Sequence, residues 1–240
     1  MNDPEVTTPS GECLNCQTPL NGCYCASCGQ LANTARLRID SWSAEVFDLT
    51  VSLETRMWRT LVGLTLRPGK TALRYVQGQR VAFTNPVKYA VLTAALWILA
   101  TSLVNDAAAD SSGIAAFLES YGQLANLLAV PVLAVIVHLS FWGSGFTYAE
   151  HLCLMLYMSG HVFLWRTLLA GAAGLGAPDV WVMAADLILF LVYSSWVLWS
   201  FHAGRVRLMW LRVLGFLFGA LLLSFVLQVC MLIFIKLQEG

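Results

Sequence analysis

Five cysteines crowd the stretch ECLNCQTPLNGCYCASCGQ, residues 12 to 30. Cys13 and Cys16 form one C-x-x-C pair, and Cys25 and Cys28 form a second. Two such pairs joined by a short loop can offer four thiolates in a tetrahedron, the geometry structural zinc prefers. Four thiolates leave no open position for water, so the chemistry expected is structural and not catalytic. A segment this small has almost no core, and metal binding would supply most of its folding energy. Cys23 is a fifth thiol that could stand in for Cys25, and the spacing leaves both open. A disulfide framework fits poorly with an odd cysteine count. A redox C-x-x-C pair needs a thioredoxin-like βαβ context, which the sequence lacks.

A second group of candidates lies in apolar surroundings. Arg166 and Asp186 flank the turn GAAGLGAPD and should meet at similar depth on antiparallel helices. Ionisable groups inside a membrane are costly and usually paired. Two readings follow: a clamp between neighbouring helices, or a polar site completed by His161 and Gln228. His138 ends one apolar run, His151 begins the next and His202 follows a third, so all three should lie near one face, with His161 about 15 Å deeper at 1.5 Å per residue. Three imidazoles at one level could bind a transition metal or ligate haem. The competing reading is interfacial or hydrogen-bonded histidines, since no pair has an i, i+3 or i, i+4 spacing.

No phosphate-binding glycine loop, dinucleotide fingerprint or H-E-x-x-H appears. Net charge is zero, and no nucleic-acid partner is expected. The chain of 240 residues is 58% hydrophobic and only 12% charged, against roughly 25% charged in soluble domains. That deficit is local: residues 1 to 86 hold eight of the fourteen Lys and Arg, and the remainder is long apolar runs.

The elements that must position these residues can be read in order. Residues 1–32 read as a zinc ribbon. Residues 33–86 read as basic amphipathic or interfacial helices. Trp42, Val46, Leu49, Leu53, Met57, Leu61 and Leu64 step by three or four, one face of a helix. Asp40 or Ser41 can cap it, Pro68-Gly69 stops it, and a shorter helix is expected from Lys70 to Gln77. Such a helix can lie in the headgroup layer or pack on the protein's own spans. Asn85-Pro86 then reads as N-cap and first helical residue. Residues 87–240 read as five spans, at about 87–104, 124–141, 147–170, 180–201 and 211–235, with a short interfacial helix at 114–123.

No signal peptide opens the chain, so the ribbon is expected in the cytoplasm. Thiolate ligation favours that reducing side. The basic region before residue 88 and Arg205, Arg207 and Arg212 would then share the inner face, as the positive-inside rule asks. Small residues Gly171, Ala172, Gly174, Gly215 and Gly219 permit close helix contact and hence a homo-oligomer.

Cys13, Cys16, Tyr24, Cys25, Cys28, Gly29 and Gln30, followed by Pro68, Gly69, Gly78, Arg80, Phe83, Asn85 and Pro86, form a pattern. It resembles an uncharacterised bacterial family of zinc-ribbon membrane proteins, a domain of unknown function. The resemblance implies Cys25 over Cys23 as ligand, and a place in the bacterial inner (plasma) membrane. The apolar part, with FTYAEHLCLMLY opening its third span, resembles the Yip1-like five-span membrane fold. The expectation is therefore an all-α polytopic membrane protein: a five-helix transmembrane bundle with a small N-terminal zinc ribbon. Its expected role is a non-enzymatic scaffold or adaptor, with the lipid bilayer and a cytoplasmic protein as partners. The alternatives are a transporter or channel built on His161, Arg166, Asp186 and Gln228, and a haem- or metal-binding redox protein built on the histidines.

Overall fold

A computed structural model describes residues 11–32, 53–107, 122 and 124–238. The proposed helix start at Asp40 or Ser41, the stripe from Trp42 to Leu49 and most of the expected 114–123 helix lie outside the described residues. Among the described residues the protein is helical, with no strand beyond two isolated bridges in the cysteine segment.

Helix α1 spans Leu53–Leu66 and α2 spans Pro68–Val76. The break falls at Arg67, because Pro68 cannot donate a backbone hydrogen bond to α1 but suits the first turn of a new helix. The second helix therefore starts two residues earlier than its expected Lys70. It ends in a Schellman turn. Gly78, at φ 106°, donates its N–H to the Tyr75 carbonyl, and Gln79 N–H reaches the Arg74 carbonyl. Only glycine takes that φ without strain.

Helix α3, Pro86–Ala107, begins as its sequence promised: Asn85 Oδ1 accepts from Val87 N–H at 3.0 Å. Helix α4 spans Val130–Ser140 and continues an apolar stretch that runs from Leu124. Helix α5, Tyr148–Gly174, opens with a full capping box, Thr147 and Glu150 each bonding the other's backbone N–H. Helices α6, Asp179–His202, and α7, Met209–Gln238, complete the chain.

Four helices are long and apolar enough to cross a membrane: α3, α5, α6 and α7. The segment read as the second span is a shorter apolar helix, Leu124–Ser140, below the roughly 20 residues a span normally needs.

Contacts fix the directions. Gly160 packs against Ala90 and Gly174 against Val104, so α3 and α5 run parallel. Arg166 meets Asp186 while His151 meets His202, so α5 and α6 run antiparallel. Ser140 lies beside Arg212 and Ile136 beside Gly219, so α4 and α7 are antiparallel as well. Two of the small residues read as possible oligomer contacts, Gly174 and Gly219, are thus used inside one chain.

Helix α5 is the axis of the protein. Over an apolar stretch of eighteen residues in each span, 61% are buried in α5, against 17–22% in α3, α6 and α7. The outer helices present Leu99 and Leu103, Ile188 and Val192, and Phe218 and Phe225 outward, an apolar belt suited to lipid.

The α1–α2 hairpin packs on the protein's own helices. Leu64, Ala72, Tyr75 and Val76 enter the core, and Thr60 is fully buried. Tyr193 Oη donates to the Leu64 carbonyl at 3.2 Å. Gly69 lies so close to α6 that a Cβ there would collide with Ser200, the Val197 carbonyl and the Phe201 nitrogen. Arg56, Arg59, Arg67, Lys70 and Arg74 stay exposed on the outer side.

Candidate metal centre and polar clusters

The cysteine segment folds as two copies of one turn. In the first, Cys13 N–H donates to the Thr18 carbonyl at 2.9 Å, and Gln17 N–H to the Cys13 carbonyl at 2.8 Å. In the second, Cys25 N–H donates to the Gln30 carbonyl at 2.8 Å, and Gly29 N–H to the Cys25 carbonyl at 2.9 Å. Gln17 and Gly29 each follow the second cysteine of a pair, and both take positive φ, 62° and 71°. The bridges Glu12–Pro19 and Tyr24–Leu31 close the two turns.

This doubling places four sulfurs face to face. Cys13 Sγ lies 3.6 Å from Cys28 Sγ, and Cys16 Sγ lies 3.5 Å from Cys25 Sγ. All four lie within 4.8 Å of one another. Zn–S bonds of about 2.3 Å in a tetrahedron require sulfurs about 3.8 Å apart, so the cluster has the dimensions to hold one metal ion and is compatible with structural zinc. Cys25 is buried in it, whereas Cys23 is exposed and stands outside.

The thiols differ in acidity when no metal is bound. The Thr18 side chain, 3.3 Å from Cys16 Sγ, and then the Thr18 backbone bring the Cys16 thiol down to about 6. Desolvation pushes Cys28 up to about 11.

The cysteine segment is fastened to the helices through Gln30, which is 3% exposed. Its Nε2 donates to the Gly78 carbonyl at 2.8 Å, and its Oε1 accepts from Arg80 N–H at 3.3 Å and Val81 N–H at 3.4 Å. The loop beyond is tied to the core in turn. Thr84 N–H donates to Thr60 Oγ1 at 2.8 Å, and Tyr157 Oη donates to the Thr84 carbonyl. Sequence reasoning placed Gln30 and Gly78 in one pattern without seeing that they touch.

Arg166 and Asp186 meet as a two-pronged pair, Nε to Oδ1 at 2.9 Å and Nη2 to Oδ2 at 3.1 Å. The Arg166 guanidinium also lies over the Trp97 ring, 5.3 Å from its centroid. His161 does not join them. Its Nδ1 lies 2.9 Å from Tyr89 Oη and its Nε2 3.3 Å from Thr65 Oγ1, and its ring stacks on Tyr193. Tyr89 and Thr65 carried no signal, because each sits on a helix remote in sequence from α5. Gln228 is exposed on α7.

His138, His151 and His202 are brought together, as their common level suggested. His138 Nδ1 lies 3.1 Å from His151 Nδ1, and His151 Nε2 lies 3.1 Å from His202 Nε2. The middle ring uses opposite nitrogens for its two neighbours. That is a hydrogen-bonded row, and not three nitrogens converging on one point. Among the described residues, the four cysteines are the group able to hold a metal.

Fold and site together define a membrane protein that is helical among the described residues and carries near its N-terminus a four-cysteine cluster able to hold a metal ion. Residues 54–98, from α1 into α3, match the model of a family described as Protein of unknown function (DUF3667). No curated protein and no solved structure matches the chain.

Proposed function

We propose that this protein is a non-enzymatic membrane scaffold or adaptor whose zinc ribbon is a docking module on the cytoplasmic side. Zinc is the metal that two C-x-x-C pairs favour, and four thiolates leave it no site for chemistry. One observation carries the reading: the Gln30 joint. A ribbon on a free tether would need no buried contact with the helices. A ribbon bonded to the Gly78–Val81 backbone is held at a set position, as a presenting surface must be. Leu14, Tyr24 and Leu31 are exposed on it.

In the same proposal the chain sits in a bacterial inner membrane with its N-terminus inside. The helix Leu124–Ser140 acts as a fifth, short span, giving alternating directions from α3 to α7 and an architecture of the Yip1-like kind. The exposed arginines of α1 and α2 then lie toward the inner leaflet, where anionic lipid attracts them.

The transport alternative ranks second. Arg166, Asp186 and His161 are each spent on partners within the protein, whereas a transport pathway needs polar groups turned to a wet cavity. The redox alternative ranks third, because the histidines are spent on one another.

In-cell crosslinking tests the proposal. Full-length protein should capture a specific neighbour through the ribbon face, lost in Tyr24→Asp and in Cys13→Ser but kept in Asp186→Asn. Capture that is indifferent to Tyr24 and Cys13, or solute flux in proteoliposomes abolished by Asp186→Asn, would defeat it.

A further inference from the structure

Helix α7 carries an amide where an apolar helix has no use for one. Between Arg212 and Lys236 its sequence holds no charged residue, and Gln228 is the only side-chain amide there. Gln228 stands sixteen residues from Arg212 and eight from Lys236, about 24 Å and about 12 Å along the helix at 1.5 Å per residue. In a bilayer that depth falls inside the hydrocarbon layer, too deep for a short side chain to reach water. The side chain is exposed on the surface of the chain, and among the described residues it has no hydrogen-bond partner. An amide left in hydrocarbon without a partner is strongly unfavourable. Lipid tails satisfy a leucine at such a place and offer an amide nothing.

The face that carries Gln228 has the form of a seam. Val213, Phe216 and Ala220 turn toward the chain's own helices and are buried. On the opposite side Leu211, Leu214, Phe218, Leu221 and Phe225 are exposed. With Gln228 they step by three, four, three, four and three residues, the spacing of a coiled-coil contact. A polar member on such a seam fixes its register. The seam is also held in place. Arg212 donates to the Ser140 and Trp142 carbonyls at 3.1 and 2.7 Å, and Gly219 lies against Ile136. These contacts with α4 set the rotation of α7 and keep Gln228 turned outward.

We propose that this face of α7 is a homodimer interface, in which Gln228 of one copy hydrogen-bonds Gln228 of a second copy inside the membrane. The amide itself selects that occupant. Two copies inserted in the same direction are related by a two-fold axis along the membrane normal, so each position on the seam meets its own counterpart at the same depth. A charged group there would repel its counterpart. An amide carries both a donor and an acceptor, so each Nε2–H donates to the other's Oε1 and both side chains are satisfied at once. The phenylalanines and leucines above it supply close packing, and no charge lies on the seam to oppose contact. The interface uses no residue of the cysteine segment, so it goes beyond the docking role proposed above and stands or falls separately.

The test is energy transfer between donor- and acceptor-labelled copies of the full zinc-loaded chain, in vesicles of phosphatidylethanolamine and phosphatidylglycerol over a range of protein-to-lipid ratios. Wild-type protein should pass from monomer to dimer and stop at two copies, as counted by photobleaching steps. Gln228→Leu keeps the seam apolar and should weaken association about tenfold. Val226→Ala, exposed on the same helix but off the seam, should associate as wild type does. A photo-crosslinking amino acid placed at position 225 should yield an adduct of two copies in cells. Wild-type protein that stays monomeric at every ratio would overturn the interface, as would Gln228→Leu associating as tightly as wild type. An adduct at position 225 with a different protein, or with lipid alone, would overturn it too.

Discussion

Gln30 Nε2 meets the Gly78 carbonyl at 2.8 Å across forty-eight positions of sequence, and this contact joins the four-cysteine segment to the helices. Both ends of the Gln30 amide are used, since Oε1 accepts from two backbone N–H groups. Gln30→Leu would strip the amide's bonds from the Gly78 carbonyl and the Val81 N–H, while Arg80 N–H keeps its bond to the Gly78 carbonyl at 2.9 Å. The expected cost is about 1–3 kcal/mol. Hydrogen exchange should rise at 11–32 and 78–84 while metal content stays unchanged. Unchanged exchange in those two segments would show that the ribbon is held by something else.

The four-cysteine cluster makes a sharper statement about metal. Purified protein should carry one zinc per chain. Cys25→Ser should lose it, and Cys23→Ser should keep it, because Cys23 stands outside the cluster. Metal analysis of the two variants checks this, and equal loss in both would mean that the ligand set is wrong.

Zinc uptake should release protons. At neutral pH the metal-free Cys16, near 6, is already mostly thiolate, while Cys28, near 11, still holds its hydrogen. Only thiolates bind the metal, so zinc must displace the Cys28 proton, and apparent affinity must climb as pH rises. Below about 6 Cys16 also protonates, and affinity should fall more steeply. Calorimetry in buffers of differing ionisation enthalpy counts the protons, and a heat independent of buffer would refute the claim.

The Arg166–Asp186 pair should be fragile when halved. Asp186→Asn or Arg166→Met leaves one partner unmatched in an apolar setting, with a loss on the order of 3 kcal/mol. Removing both together should cost less than the sum of the two. Thermal unfolding in detergent measures the cycle, and strict additivity would mean that the ions do not support each other.

Gly69→Ala is expected to force α2 away from α6. The added methyl meets backbone atoms of Val197 and Phe201, which cannot swing aside as a side chain could. Overpacking of this kind costs typically 1–3 kcal/mol. An unfolding midpoint equal to wild type would show that the two helices part easily.

Much of this architecture was legible in the residues themselves. Local rules caught the features that depend on neighbours in sequence: the C-x-x-C pairs, the Asn85 cap, the helix break at Pro68. The Arg166–Asp186 pair was also within reach, because one short turn fixes the register of the two helices it joins. What stayed hidden was contact between distant segments. Nothing periodic marks Gln30 as a joint, since a buried glutamine looks like any surface glutamine until its partner is known. Tyr89 and Thr65 around His161 were invisible for the same reason. The histidines were placed at a common level, but hydropathy does not report ring orientation, and orientation separates a metal tripod from a hydrogen-bonded row.

The Gln30 joint grips main-chain atoms, and that asymmetry decides how it can change over generations. Every amino acid but proline offers the same N–H, so positions 80 and 81 can drift without disturbing their half of the grip. Residue 30 has no such licence, because the grip is its side chain. The N–H half of the socket is generic and the plug is particular, so natural variation should gather there and spare both residue 30 and Gly78, whose φ asks for glycine.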